Sequence, residues 1–284
     1  LGVTYVGPIN GHDVKYLVEN LQRVSELEGT VLLHVLTEKG KGHPHAPTHP
    51  ERVHGVKGTV VPRTAGAESS KVPGEMVTPA VPKPQGPAYT KAFGAALIKL
   101  ADRDVRVHAL TAGMPSGTGL EGFAERFPSR FHDTGITEQH AVAMAAGMAK
   151  AGLRPIAAIY STFLQRAYDQ VFQEVALQNL SVVFALDRAG LVGQDGPTHN
   201  GVFDLAYLRT LPNFTLCAPR DASDMRRMLE MAIALPGPVA LRYPRDNCPG
   251  LERIHHSERR EMLPGKAEIL CDVAPERRAS SFVI

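Results

Sequence analysis

Cysteine is scarce in this chain. Cys217, Cys248 and Cys271 are three in number and lack close metal-ligand spacing, so they read as reduced thiols of a cytosolic or organellar protein rather than a disulfide framework. Long apolar runs are missing too, which excludes a membrane-spanning helix, and no signal-peptide pattern opens the sequence. Charge of one sign does not accumulate: 31 Lys and Arg against 29 Asp and Glu leave +2, no bulk attraction to nucleic acid or an acidic membrane. The initiator methionine is absent, and Leu1 falls in what reads as a strand or loop, so the chain is expected to be a piece of something longer. What is present is 284 residues, 43% of them hydrophobic, enough to bury a core in one large domain plus pieces, or in two domains.

The organisation follows from periodicity. Asp13 is placed to cap a helix in which Leu17, Val18, Leu21 and Val24 share a face, and 30–36 reads as a buried strand. A Gly- and His-bearing loop from Glu38 follows, and 59–86, rich in Pro, Val, Ser and Gly without helical period, reads as a linker. Beyond it, helices are expected over 89–100, 120–127, 163–177 and 222–234, with a further one starting at Glu138. Strands are expected over 105–110, 155–159, 181–186, 214–217 and 238–241. Helices alternating with continuously apolar strands predict an α/β, doubly wound parallel sheet. Ligands bind such sheets beyond the carboxyl ends of the strands, and the segments richest in polar side chains fall there. They are 111–119, 160–170, 187–199 and 242–246.

The most informative segment is Asp133-Thr-Gly-Ile-Thr-Glu-Gln-His140 running into a helix of small apolar residues. Glu138 at that helix start either complements the helix N-terminus or, because a carboxylate among closely packed small residues is costly to bury, has a dedicated donor and a task.

Together these segments resemble the 1-deoxy-D-xylulose-5-phosphate synthase family of the transketolase superfamily. The words that carry the resemblance, in order, are Gly7-Pro-Ile-Asn-Gly-His-Asp13, Lys39-Gly-Lys-Gly42, Met114-Pro-Ser-Gly-Thr-Gly119, Gly135-Ile-Thr-Glu-Gln-His-Ala-Val142, the string 160–171, Asp187-Arg-Ala-Gly190, Asp195-Gly-Pro-Thr-His199 and Arg242-Tyr-Pro-Arg245. The resemblance implies that 1–58 ends a diphosphate-binding domain, 59–87 is a linker, 88–248 is a thiamine-diphosphate pyrimidine-binding domain, and 249–284 starts a truncated C-terminal domain. It implies thiamine diphosphate and Mg2+ as cofactors, with the metal ligands expected upstream of Leu1. Pyruvate and glyceraldehyde 3-phosphate are the implied partners, in a homodimer of the bacterial cytoplasm or the plastid stroma.

Residue roles follow from the same resemblance. Glu138 matches the cofactor-activating glutamate, whose carboxyl hydrogen-bonds the aminopyrimidine and favours its imino tautomer, whose nitrogen then takes the thiazolium proton. Phe163 stands where an aromatic ring stacks on the pyrimidine, and Lys39 and His43 stand near the cofactor. His54, Asp195 and His199 match groups that position substrate and move protons, while Tyr160, Arg188 and Arg245 match the phosphate holders and Arg166 an arginine nearer the reacting centre. Four positions depart from the pattern: His43 in place of Tyr, Thr137 of Ala, Gln173 of His, and Asp246 of Gly. Asp246 sets a negative charge beside a proposed phosphate arginine. Residues 272–284 do not continue the family's third domain. Two other readings stay open: a pyrimidine-domain subunit of a transketolase or a 2-oxo-acid dehydrogenase, and a non-catalytic docking fragment.

Overall fold

The computed structural model describes residues 2–48, 86–249 and 264–265. The chain divides into two compact units, Leu1–Thr78 and Pro79–Ile284.

In the first unit, β1 (Thr4–Asn10), α1 (Val14–Ser25) and β2 (Val31–Leu36) form a parallel two-stranded sheet with one helix. Asp13 caps α1 as expected, its carboxylate accepting from the Tyr16 N–H at 3.0 Å. The buried strand expected at 30–36 is corrected. β2 alternates half-buried with exposed residues, because among the described residues of this unit one helix, α1, packs on the two-stranded sheet and leaves the outward positions uncovered. Val18 and Leu21 of the expected apolar face are likewise exposed.

The second unit contains α2 (Tyr89–Ala101), β3 (Val107–Thr111), α3 (Glu121–Arg126), β4 (Phe131–Asp133), α4 (Glu138–Lys150), β5 (Arg154–Tyr160), α5 (Ser161–Leu164), α6 (Tyr168–Gln170), β6 (Val183–Asp187), α7 (Asp204–Leu208), β7 (Thr215–Cys217), α8 (Ala222–Ala234) and β8 (Val239–Arg242). Six strands pair in the order β4-β3-β5-β6-β8-β7, every pair parallel. This is the doubly wound sheet expected from sequence.

Alternation along the strands explains the two layers. Val107, Ala109, Ile156, Ala158, Val183, Ala185, Val239 and Leu241 pack with Phe93 and Leu97 of α2, Phe123 of α3, and Met225 and Leu229 of α8. Their neighbours Leu110, Ala157, Ile159, Phe184, Leu186 and Ala240 pack with Ala141, Val142 and Ala145 of α4, and with Leu164, Val171 and Val175. Three elements were not expected: β4, α7, and a break in the helix read as continuous over 163–177. That segment runs from α5 through a 3-10 turn (Gln165–Ala167) and α6 into a π-helical turn (Val171–Ala176). Its bonds from Leu177 N–H to the Phe172 carbonyl, 3.0 Å, and from Leu180 N–H to the Val175 carbonyl, 3.1 Å, span five residues.

The segment before α2 is tied to the one after β8. The Gly86 N–H donates to the Cys248 carbonyl at 2.9 Å and the Cys248 N–H to the Pro87 carbonyl at 2.8 Å. On the β3–β4 edge, His108 Nδ1 lies 3.1 Å from His132 Nε2. The nearby Arg130 guanidinium donates to the carbonyls of Ala101 and Asp104.

Candidate active site

Because every strand is parallel, Thr111, Asp133, Tyr160, Asp187 and Arg242 all end at one edge of the sheet, where open α/β sheets bind ligands. The turn before α4 is held by Asp133, whose Oδ1 accepts from the N–H groups of Gly113 at 2.7 Å and Gly135 at 2.9 Å. Thr137 does not cap the helix. Its hydroxyl donates back to the Thr134 carbonyl at 2.8 Å, and the first helical residue is Glu138.

Glu138 is only 4% exposed, and its Oε2 is buried without a hydrogen-bond partner. The nearest countercharge is Nε of Arg166 at 3.7 Å, on a side chain that is 69% exposed. A buried carboxylate oxygen facing no donor is uncommon and costly. The helix N-terminus offsets only part of that cost. The structure thus leaves Glu138 Oε2 as an acceptor that no donor among the described residues uses.

An aromatic group lies on the same edge. Tyr160 and Phe163 stack at 5.4 Å between centroids with planes 13° apart. His199 meets Phe163 edge-on at 5.2 Å, and its Nδ1 is engaged by the Thr198 hydroxyl at 2.9 Å. Burial pushes the Tyr160 phenol up to about 12, so it stays a neutral hydroxyl. That hydroxyl sits against the Cα of Gly117, where any side chain would collide with it. The neighbouring glycines are equally constrained: a Cβ on Gly119 would strike the Thr90 carbonyl, and one on Gly94 the Gly119 carbonyl. Through these glycines the segment 111–119 is packed against α2.

The charged residues form a chain across the ends of β6 and β8. Arg188 is largely buried and takes φ +60°, uncommon for a residue with a side chain. Its Nη1 donates to the Gly117 carbonyl at 2.6 Å and lies 3.0 Å from Asp187 Oδ1, while its Cζ sits 4.1 Å over the Tyr160 ring. Its Nε is 3.6 Å from Asp195 Oδ2. The other oxygen of Asp195 pairs with Arg245. Two arginines from separate strands therefore converge on one carboxylate. Asp246, the charge expected to disturb Arg245, turns instead to the Asn247 N–H at 2.7 Å. Arg242 forks onto the buried Asp204 at 2.8 and 3.2 Å, fixing α7 to the end of β8.

Of the residues singled out from sequence, the edge gathers Glu138, Tyr160, Phe163, Arg166, Arg188, Asp195, His199 and Arg245. Lys39 and His43 belong to the first unit, where His43 Nδ1 accepts from the His45 N–H at 3.3 Å. His54 lies outside the described residues. Asp187, Thr90 and Gly117 were given no role in the sequence reading. The available signal was a carboxylate closing the apolar run 181–186, a position that a buried strand does not fill with charge unless it is paired.

The family profile described as "Transketolase, pyrimidine binding domain" matches residues 85–250, more than half of the chain. The chain belongs to the transketolase pyrimidine-binding domain family. A second profile, "1-deoxy-D-xylulose-5-phosphate synthase", matches residues 1–37 of this transketolase-family chain. Curated relatives named 1-deoxy-D-xylulose-5-phosphate synthase include those of Syntrophus aciditrophicus, 49% identical over 96% of this chain, and Aquifex aeolicus, 50% identical over 94%. The corresponding synthase 1 of Geobacter sulfurreducens is 51% identical over 96%. The chain spans about 40% of the length of these relatives. Among solved structures, a split-gene transketolase, described as an inactive beta4 tetramer, aligns at TM-score 0.58 with 31% identity, over 66% of this chain and 60% of that one. Transketolase from Leishmania mexicana shares the fold at TM-score 0.53 and 22% identity, over 61% of this chain and 28% of that one.

Proposed function

We propose that this chain carries the pyrimidine side of a thiamine-diphosphate site in a 1-deoxy-D-xylulose-5-phosphate synthase. The reaction joins pyruvate to D-glyceraldehyde 3-phosphate, releases carbon dioxide, takes up a proton and yields 1-deoxy-D-xylulose 5-phosphate, the entry step of non-mevalonate isoprenoid synthesis. The observation that carries the reading is the buried Glu138 carboxylate whose Oε2, 3.7 Å from the Arg166 guanidinium, has no hydrogen-bond partner among the described residues. An aminopyrimidine fits it in the imino form or once protonated, when its ring N–H can donate to this carboxylate oxygen, and Phe163 offers an aromatic surface on the same sheet edge. When bound, thiamine diphosphate supplies a nucleophilic carbon and a sink for the electrons left by decarboxylation.

The chain's own residues divide the remaining work. Glu138 holds the aminopyrimidine proton in place through Oε2. Arg188 and Arg245 converge on a single anion, now the Asp195 carboxylate, and the acceptor's phosphate is a better-matched ligand for the same donors. With Nδ1 of His199 engaged by Thr198, proton exchange with substrate falls to Nε2. Asp195, once exchanged for phosphate, is left as an acceptor beside it. Arg166, mostly exposed, screens Glu138 and meets the carboxylate of pyruvate. Lys39 and His43 are this chain's further cofactor-binding candidates and His54 a further catalytic one, while the magnesium ligands are expected outside these residues. The domain division at 59–87, homodimeric assembly, and a bacterial cytoplasmic or plastid stromal setting belong to the same reading.

The test is carbon-13 NMR of the full-length protein with labelled pyruvate, glyceraldehyde 3-phosphate, thiamine diphosphate and magnesium. Labelled carbon dioxide and 1-deoxy-D-xylulose 5-phosphate are expected to appear together. No cofactor-dependent decarboxylation of pyruvate, or transfer from a ketose donor instead, would refute the assignment.

A further inference from the structure

Asp187 is a carboxylate with no exposure at the carboxyl end of β6, and the chemistry above makes no use of it. Its Oδ2 accepts from the Thr90 hydroxyl of α2 at 2.6 Å. Its Oδ1 accepts from the backbone N–H of Arg188 at 2.7 Å and lies 3.0 Å from Nη1 of the same residue. Both oxygens are therefore spent within the protein, which argues against a direct role toward substrate. A buried charge with this many directed bonds is retained for what it orients.

The oriented group is Arg188. Its backbone stands at φ +60°, a conformation a side-chain-bearing residue holds only when its surroundings over-determine it. The Asp187 carboxylate closes on both ends of that residue at once, the amide and the guanidinium. The third restraint is the Gly117 carbonyl at 2.6 Å from Nη1, and the fourth is the Tyr160 ring beneath Cζ. With Nη1 consumed, the edge carrying Nε remains. It has no hydrogen-bond partner and faces Asp195 Oδ2 at 3.6 Å, an oxygen that also has none.

We propose that Asp187 is a positioning residue that sets acceptor specificity. It pins Arg188 so that the guanidinium presents its Nε edge to an anion at the place of the Asp195 carboxylate. Thr90 is the second member of the clamp, linking the orientation of Arg188 to helix α2. Arg188 then contributes direction more than net charge, since the Asp187 carboxylate beside it balances its own positive charge. Arg245 supplies the uncompensated charge once Asp195 leaves. The proposal rests on the reading that this edge takes a phosphorylated acceptor.

The experiment has a kinetic arm and a spectroscopic arm. In the full-length protein with pyruvate, kcat/KM is measured for glyceraldehyde 3-phosphate and for unphosphorylated glyceraldehyde, in wild type, Asp187→Ala, Asp187→Asn, Thr90→Val and, as the reference for complete loss, Arg188→Ala. Asparagine keeps an oxygen for the Arg188 amide and can donate from its own amide to Thr90, so it preserves the clamp and removes only the charge. Asp187→Ala is expected to lower the ratio of the two kcat/KM values by about tenfold or more, and Asp187→Asn to restore it to within about threefold of wild type, with Thr90→Val between them. In parallel, the Nε–H signal of Arg188, assigned by its loss in Arg188→Lys, should be a resolved NMR resonance in wild type and Asp187→Asn. In Asp187→Ala it should be broadened or averaged toward solvent-exposed arginines. This arm requires no turnover, so a wild type with no condensation activity would overturn the reaction while the clamp is still tested. An unmoved Arg188 signal, or equal losses on both aldehydes, would overturn the clamp. If Asp187→Ala does not fold, Thr90→Val and Asp187→Asn decide: a ratio unchanged in Thr90→Val, or an Asn variant with a ratio as low as that of Arg188→Ala, refutes it.

Discussion

Replacing Glu138 should move stability and activity in opposite directions, and the structure gives the size of each. Three contributions bear on stability. The carboxylate sits in the first turn of α4, worth about 0.3–1 kcal/mol from the helix N-terminus. Its pairing with the exposed Arg166 at 3.7 Å adds about 0–1 kcal/mol. Against these stands a buried charged oxygen without a hydrogen bond, which costs about 1–3 kcal/mol. Glu138→Met, close in volume and without polar atoms, should therefore be neutral or stabilise the ligand-free protein by about 1 kcal/mol. For a domain of this size that raises Tm by roughly 2–4 °C. Activity should fall instead. A positioned proton-transfer group contributes about 10²–10⁴-fold, so deuterium exchange at the thiazolium carbon of bound thiamine diphosphate should slow by about that factor in Glu138→Met and in Glu138→Gln. Calorimetry and exchange-quench NMR on one preparation make the comparison. A Tm lowered by roughly 5 °C or more would show that Glu138 is structural, and wild-type exchange in either variant would remove it from cofactor activation.

Arg245→Ala should weaken use of glyceraldehyde 3-phosphate by about tenfold or more relative to unphosphorylated glyceraldehyde, since a charge-assisted bond is worth about 1.5–3 kcal/mol; equal loss on both in steady-state kinetics would make it structural. Burial lowers the affinity of His108 and His132 for a proton in the folded state, with their mutual repulsion adding to the effect at His108. The unfolded chain thus binds more protons, and stability from this pair is present above the ordinary histidine value of about 6.5 and lost as pH falls below it; denaturant midpoints from pH 7.5 to 5 should drop less in His108→Phe than in wild type. Burial pushes the thiols of Cys217 and Cys248 up to about 11, so mass spectrometry should find both resistant to alkylation at pH 8 until denaturant is added.

The alternation of helices and apolar strands was legible because each layer repeats one pattern. Helix 222–234, capped by Asp221, was read at its observed limits. β4 escaped because a strand of three residues carries no period, and its pairing with β3 is a tertiary fact. The helix read over 163–177 kept its apolar spacing while its hydrogen bonds shifted through 3-10 and π turns, a change periodicity cannot register. At the site, residue types announced Glu138, Phe163 and the arginines. What they bond to was not visible: that Asp195 stands between Arg188 and Arg245 requires β6 and β8 to be laid side by side, and that Asp187 reaches Thr90 requires α2 to be packed at the end of β6. Asp246, a departure noted in sequence, accepts from the backbone N–H of its own neighbour Asn247, a local contact that residue type alone does not show.

The bare backbone of Gly94, Gly117 and Gly119 has a consequence for how such a site can diversify. These three positions act as spacers of zero thickness between α2, Tyr160 and the loop that offers its carbonyl to Arg188. A single added methyl at any of them shifts that carbonyl, and so re-aims a guanidinium two strands away without touching it. Leu191, Val202 and Phe203, by contrast, are exposed and can change freely without moving the donors. New acceptor preferences are therefore expected to arise from the 191–203 rim, while the glycine stack behaves as a gauge block whose dimension cannot drift.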